Sequence, residues 1–340
     1  MKPFSPRRAQ HGAAALIVTL MLFLTLALLA LGIHRHLLIE QRAATDHARA
    51  VQAFEAAEAG LDWAQGHLND TRRVDADCRP SVDPTATTFR ARSLAIDRAS
   101  GAIAPASMQA ACVRRTLGWS CQCAQYPAAT APRDLNAPSF ALTLQAAAPP
   151  GTVRIVATSS AAPDAMARTE ATLALFSGLR HAPVAAVTTR DMTGASVDRF
   201  FATWFGIDKA GWRDQPTVAR VACDGSCGHE IEQAIADGHD LIWIDGDATV
   251  SGPLSLGSAS QPIVLVVTGS ARLDGAVALR GVLYAGSVML IDARVQGAVM
   301  SEGPYAGPTE GGATRDAEVL STLTHQTGSF VRVPGSWRDF

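Results

Sequence analysis

An uninterrupted apolar run, Ala13 to Ile33 (AAALIVTLMLFLTLALLALGI), follows a short basic leader that contains Lys2, Arg7, Arg8 and Gly12. The run is 21 residues long and uncharged. At about 1.5 Å of rise per residue, a helix of that length just crosses a hydrocarbon core of about 30 Å. Basic residues ahead of it predict a cytoplasmic N-terminus, with the rest of the chain on the other side of the membrane. An ordinary secretory signal is cut after its apolar region, at a small-residue site. Here His34-Arg35-His36 follows at once and Glu40-Gln41-Arg42 continues in a polar, helical style. The plainest reading of the segment alone is a signal anchor that tethers an exported domain.

The helical pattern continues beyond the membrane. From Leu37 to about Leu68 there is no proline, and glycine occurs only at Gly60 and Gly66. The stretch is dense in Ala, Glu, Gln, Arg and Leu, which favour helix. Val51, Phe54, Leu61 and Leu68 lie on one helical stripe, a spacing that fits a strand poorly. Asn69-Asp70 then read as a terminus. A helix from Ala13 to Leu68 would be about 80 Å long.

Gly12, at the border between charge and hydrophobicity and followed by Ala13, resembles the leader of class III prepilins. Together with EQR at 40–42 and QAFEAAEAGLDWAQ at 52–65, the segment resembles the N-terminal domain of PilX-type minor pilins. The closing RVPGSWRDF (332–340) resembles the terminal motif of one branch of these proteins. The resemblance implies cleavage between Gly12 and Ala13 by a prepilin peptidase, then methylation of the new Ala13 amine. It also implies other minor pilins, the major pilin and the inner-membrane assembly platform as partners. The expected location is a single-pass inner-membrane protein with a periplasmic C-terminal domain, later part of an extracellular pilus.

One departure from the general pilin pattern matters. Major pilins place a Glu at the fifth mature position, where it pairs with a neighbouring subunit's terminal amine. Counted from Ala13 that position is Ile17, and no acidic residue occurs before Glu40. A buried charge needs its partner, and this chain lacks its half of the pair. PilX-type minor pilins and tip-forming K-type pseudopilins share that lack, which implies an initiating or tip subunit.

Composition fits an exported protein. The formal charge is −2, and loss of the three leader cations takes it to about −5. There is no basic tract or obvious aromatic stacking surface for nucleic acid. Cys78, Cys112, Cys121, Cys123, Cys223 and Cys227 all follow the apolar run, and an even number in an exported domain favours disulfides. Cys223-Asp-Gly-Ser-Cys227 is a tight loop that can close on itself. The other four allow three connectivities. Cys121 and Cys123, with one residue between them on an extended segment, are not expected to bond each other, which makes Cys78 and Cys112 their partners in an order the sequence leaves open. CxC and CxxxC with scattered histidines are a poor match for zinc, and no cofactor is expected.

The expected organisation is a leader (1–12), the transmembrane half of a helix (13–33), its amphipathic half (34–70), a pilin-like β-sheet region (71–180), a connecting segment with the Cys223–Cys227 loop (181–240), and repeats with a tail (241–340). Residues 71–138 have no legible elements. FALTLQA (140–146), TVRIVATS (152–159) and ARTEATLALF (167–176) read as strands separated by turns, packed as an antiparallel sheet on the outer half of the helix. Phe200, Phe201, Trp204 and Phe205 read as a short helix in a core. After Asp240, three segments (241–256, 263–279 and 282–295) align, with Gly246, Gly269, Gly286 and Gly303 at equivalent turns, 23, 17 and 17 residues apart. Stacked β-solenoid rungs give this pattern; an antiparallel meander is the alternative. GAVMSEG (297–303) would be a last rung, with the tail returning to cap or flank the stack.

The fold class expected is therefore α+β: a long pilin-like helix, a β-sheet-rich region and a β-solenoid-like segment. Asp245, Asp247, Asp274 and Asp292 are the acids of the repeats. Nothing in the sequence brings two of them across a cleft as a glycosidase needs. Asp245-Gly-Asp247 lacks a complete oxygen-ligand loop for calcium. No nucleophile elbow, phosphate loop or HExxH is present, so the chain reads as a non-enzyme. Three functions are expected in order: a minor pilin of a type IV pilus, a K-like minor pseudopilin of type II secretion, and a membrane-tethered surface adhesion module. Glu55 and Glu58 read as a solvated helix face or as contacts to neighbouring subunits. Trp337 and Phe340 read as closing the domain's own core, with docking of a partner as the alternative.

Overall fold

A computed structural model describes residues 11–83, 85–106, 108–125, 137–308 and 311–340; the leader, up to residue 10, lies outside them. Helix α1 runs His11–Asn69. The chain divides into two compact units, residues 1–52 and 53–340. In the first, every large apolar side chain from Leu16 to Ile33 is exposed. Thr19 and Thr25 donate their hydroxyls to carbonyls three or four residues earlier, so they place no unpaired donor on an apolar surface. Among the described residues this is the one helix long and apolar enough to cross a membrane.

The second unit opens with the outer part of α1. Ala53, Ala57, Leu61, Ala64 and Leu68 are buried, recurring every three or four residues as one stripe. The expected stripe is corrected here: Leu61 and Leu68 are buried, but Phe54 is 37% exposed and Val51 is also exposed. Side-chain size explains the difference. Alanines let the helix close on the sheet, and at Gly60 an added Cβ would lie 3.1 Å from the Phe140 ring.

Two short ribbons follow, β1 (Arg73–Val74) with β2 (Thr87–Thr88), and β3 (Leu94–Ile96) with β4 (Ile103–Pro105). Between them lies α2 (Phe89–Ser93), capped by Thr88, whose side chain accepts from Ala91 N. Strands β5 (Met108–Arg115), β6 (Gly118–Gln125), β7 (Ser139–Ala146), β8 (Thr152–Ala162) and β9 (Ala165–Ser177) form an antiparallel sheet in the order β6-β5-β7-β8-β9. Phe140, Leu142, Ile155, Ala157, Leu173 and Leu175 share one core with Leu61 and Leu68 of α1.

Strand β10 (Val187–Thr189), helices α3 (Arg190–Thr193), α4 (Val197–Phe205) and α5 (Lys209–Arg213), strand β11 (Val218–Val221) and helix α6 (Gly228–Ala236) lead to the repeats. These hold β12 (Leu241–Ile244), β13 (Ala248–Ser251), β14 (Leu254–Leu256), β15 (Ile263–Asp274), β16 (Val277–Ile291), β17 (Arg294–Ser301), β18 (Tyr305–Ala306) and β19 (Ala313–Arg315). All pairings in this ten-stranded sheet are parallel, which excludes the antiparallel meander. Ile244 pairs with Val267, Val267 with Ala285 and Ala285 with Ser301, so each residue meets its counterpart one repeat on. Gly246, Gly269, Gly286 and Gly303 stack at one corner. A Cβ on Gly269 would lie 2.7 Å from Gly246 O, one on Gly286 2.8 Å from Gly269 O, and one on Gly303 2.9 Å from Gly286 O.

Strands β12, β15, β16 and β17 have two buried faces. Ile242, Leu265, Leu283 and Val299 point into the repeats. Trp243, Val264, Val266, Val282, Tyr284 and Met300 point outward, into a second core with Phe200, Phe201 and Phe205 of α4 and Trp212 of α5. Helix α7 (Ala317–His325) joins that core through Val319, Leu320 and Leu323. Burial on both sides is why LIWI and IVLVV read as unbroken apolar runs. Further along β15 and β16 the pattern alternates: Ala271, Leu273, Val288 and Leu290 are buried while Arg272 and Met289 are exposed.

Three disulfides join Cys78 to Cys123, Cys112 to Cys121 and Cys223 to Cys227. Cys112 and Cys121 are direct partners across β5 and β6. Cys223–Cys227 closes the turn before α6, and Cys227, together with Ile231 and Ala234 of α6, enters the inner core of the repeats. Two expectations about the chain's course are corrected. The segment 181–240 is more than a connector, because β10 and β11 are strands of the parallel sheet. The tail flanks the repeats only as far as α7; beyond it, β20 (Gly328–Arg332) and β21 (Arg338–Asp339) pair antiparallel with β9, where an open sheet edge offers unpaired backbone groups.

Two glycine substitutions should have opposite signs. Gly286→Ala forces a methyl against backbone and should destabilise the chain by about 2–3 kcal/mol. Gly66→Ala, a helical position with nothing within 4 Å of an added Cβ, should stabilise it by about 0.5–1 kcal/mol. Denaturant unfolding of the full chain in detergent checks both.

Candidate assembly helix and its C-terminal clasp

The outer part of α1 ends on a buried amide. Asn69 Nδ2 donates to Phe330 O (2.9 Å), and Asn69 Oδ1 accepts from Phe330 N (2.7 Å). Phe330 lies on the edge strand β20, so one side chain satisfies both groups that the edge leaves open. One turn back, Arg332 donates to Asp62 Oδ1 (2.5 Å) and to Gln65 Oε1 (3.2 Å). Further back, Trp337 Nε1 donates to Glu58 Oε1 (2.8 Å), and its ring meets Phe54 edge-on at 6.3 Å. Phe54, Glu58, Asp62, Gln65 and Asn69 are spaced by three or four residues, so they line one helix face.

The tail is held on its other side by β9. Gly335, at φ +73°, makes the turn, and Val333 N donates to Thr172 O (2.9 Å). Thr172 N donates to Ser336 Oγ (3.1 Å), and the Arg168 guanidinium lies 5.2 Å from the Phe340 ring centre. QAFEAAEAGLDWAQ and RVPGSWRDF are thus two sides of one contact. Trp337 and Phe340 do not close the core as expected; they are 42% and 69% exposed. Glu58 serves its own chain's Trp337, and Glu55 is exposed.

Near the helix end, His67 stacks on Trp63 at 3.7 Å with Phe89 edge-on. Burial holds its pKa below the ordinary 6.5, against weaker opposing effects of the Trp63 carbonyl and Asp70. Burial acts to raise the Asp70 carboxyl, but hydrogen bonds from Arg72 outweigh it and hold that pKa low.

Of the residues singled out in sequence, Gly12 and Ala13 lie in the first turns of α1, with the Ala13 side chain outside the described residues. Ile17 is exposed on the helix. The acids of the repeats are not gathered. Asp245 accepts from Trp243 Nε1 (2.9 Å), Asp247 accepts from Ser270 N (2.7 Å), and Asp274 holds Arg272 (2.9 Å). Asp292 occupies a turn at φ +52°. Among the described residues no group of three His, Cys, Asp or Glu side chains could hold a metal ion.

Besides the clasp, a network around Glu302 has no counterpart in the sequence reading. Tyr284 OH donates to Glu302 Oε1 (2.6 Å), which also pairs with Lys209. Burial, then Glu302, drives the Tyr284 pKa upward. Lys209 is the only lysine after the leader, and that rarity was the available signal.

Removing the buried amide should matter more than removing the exposed contacts. Asn69→Leu strands two backbone groups and should cost about 2–3 kcal/mol, whereas Asp62→Ala, at an exposed ion pair, should cost less than about 1 kcal/mol. His67 sets a pH dependence: its folded pKa lies below its unfolded value, so the unfolded chain takes up the proton first. Stability should fall as pH drops below about 6.5, and His67→Gln should flatten that limb of a thermal-melt series.

Residues 11–62 match the family model described as PilX N-terminal. No curated protein matches. A similar solved structure is the crystal structure of competence-associated pilin ComZ from Thermus thermophilus, 12% identical, with 86% of this chain and 98% of that chain covered. Its TM-score is 0.23, too low to argue the fold from it. The match takes in the exposed apolar helix, Glu58 and Asp62, and stops before Asn69. Residues 11–62 are similar to the PilX N-terminal family, and the remaining residues lie outside that family model.

Proposed function

We propose that this chain is a minor pilin of a type IV pilus that helps to start pilus assembly and is displayed at the tip. One observation carries the reading: a PilX N-terminal segment forms a helix with an exposed apolar stretch and no acidic residue before Glu40. An apolar helix of this length is soluble only in a bilayer or among similar helices. Without its own carboxylate it offers no partner to a neighbour's buried amine, which suits a subunit that begins a fibre over one that repeats along it.

On this reading a prepilin peptidase cuts between Gly12 and Ala13, the Ala13 amine is methylated, and the helix waits in the inner membrane with the globular part in the periplasm. Major and other minor pilins pack on the helix, and the inner-membrane platform draws it into the fibre. We read the parallel repeats as a short β-helical stack held outward for adhesion, with twitching motility as the cellular output. The chain acts by assembly and contact; its repeat acids support this because each is engaged by a neighbouring group or turn.

Mass spectrometry of the protein from its native membrane tests the reading. A methylated N-terminus at Ala13 is the expected result. An intact Met1 would sink it in favour of a tethered adhesion module. Deleting the gene should abolish twitching and spare type II secretion; loss of secretion with normal twitching would instead assign a K-like pseudopilin.

A further inference from the structure

Where the antiparallel sheet meets the parallel one, a cavity of about 100 Å³ is walled by Asn69, Thr71, Arg90, Thr217, Asp240 and Gly328, among others. Most of its polar wall is already engaged. Asn69 is spent on Phe330, Thr71 donates to Asp237 O, and Thr217 and Ser329 share a hydrogen bond (2.7 Å). Two buried atoms have no partner: Arg90 Nε and Asp240 Oδ1. One is a donor and the other an acceptor, and both residues face this space.

The two residues belong to different halves. Arg90, on α2, donates Nη2 to Gly328 O (2.8 Å) and lies 4.7 Å from the Phe330 ring centre. Asp240 precedes β12, and its carbonyl accepts from Val264 N (2.7 Å) in β15. They form no direct ion pair, yet each feels the other across the gap. Burial lowers the arginine's pKa to about 10, against the pull of Asp240, and burial raises that of Asp240.

Orphaned buried donors and acceptors cost free energy unless something fills the space between them. An anion there would face the Asp240 carboxylate, and a cation would face the Arg90 guanidinium. A small neutral molecule that both donates and accepts satisfies the two together. We propose that the cavity holds about three ordered water molecules, at about 30 Å³ each, bridging Arg90 Nε to Asp240 Oδ1. This hydrated charge pair is the polar joint between the antiparallel sheet and the parallel repeats.

High-resolution crystallography of the full chain in detergent tests the content of the cavity. Water density within hydrogen-bond distance of both atoms is expected; an empty cavity or a direct Arg90–Asp240 contact would overturn the proposal. Hydrogen exchange of the same protein tests the joint. Arg90→Met and Asp240→Leu should each speed exchange about tenfold in 69–74, 238–241 and 328–332, leaving 263–301 unchanged. The double variant should lose less than the two single losses combined, because each single change strands a buried charge. Additive losses, or exchange that rises evenly along the chain, would refute a shared joint.

Discussion

The amide of Asn69 ties the end of α1 to the antiparallel sheet. It stands where the helix ends and the last long strand passes, and it supplies both a donor and an acceptor to Phe330. Without it, the edge of the antiparallel sheet would carry two unmet backbone groups beside a core that includes Leu68 and Phe330. The weaker contacts, Arg332 to Asp62 and Trp337 to Glu58, extend that alignment along the helix. Being half-exposed, they set register more than they add stability. Two regions at opposite ends of the sequence therefore form one structural element.

How much was legible beforehand follows the range of each interaction. The long helix, β7 to β9 and the repeat of parallel strands rest on local periodicity and could be read. The glycine alignment was informative because each glycine touches the one a repeat earlier. What escaped was non-local. No spacing rule links Asn69 with Phe330, or Arg90 with Asp240, across such separations. The return of β20 escapes for the same reason, since it pairs with β9 and not with the strands that precede it. Phe54 was misassigned because periodicity rewards large residues, whereas a close helix–sheet contact selects alanines.

The candidate site shows the same division. Gly12, Ala13 and Ile17 stand out through chemistry that needs no tertiary structure: a border of charge, a small residue and a missing carboxylate. The clasp consists of ordinary residues, made specific only by where the fold places them. Glu58 reads as a solvated acid or a contact to a neighbouring subunit, and the fold gives it to Trp337.

The corner of stacked glycines has an evolutionary consequence. Each of these turns fits closely over the one before, so successive repeats meet backbone against backbone at this corner. A duplication or deletion of one whole repeat, 17 residues in the later ones, would keep glycine over glycine. A change of any other length would put a side chain where only backbone fits. Relatives of this chain should therefore differ in this region by whole repeats, with the glycine corner kept.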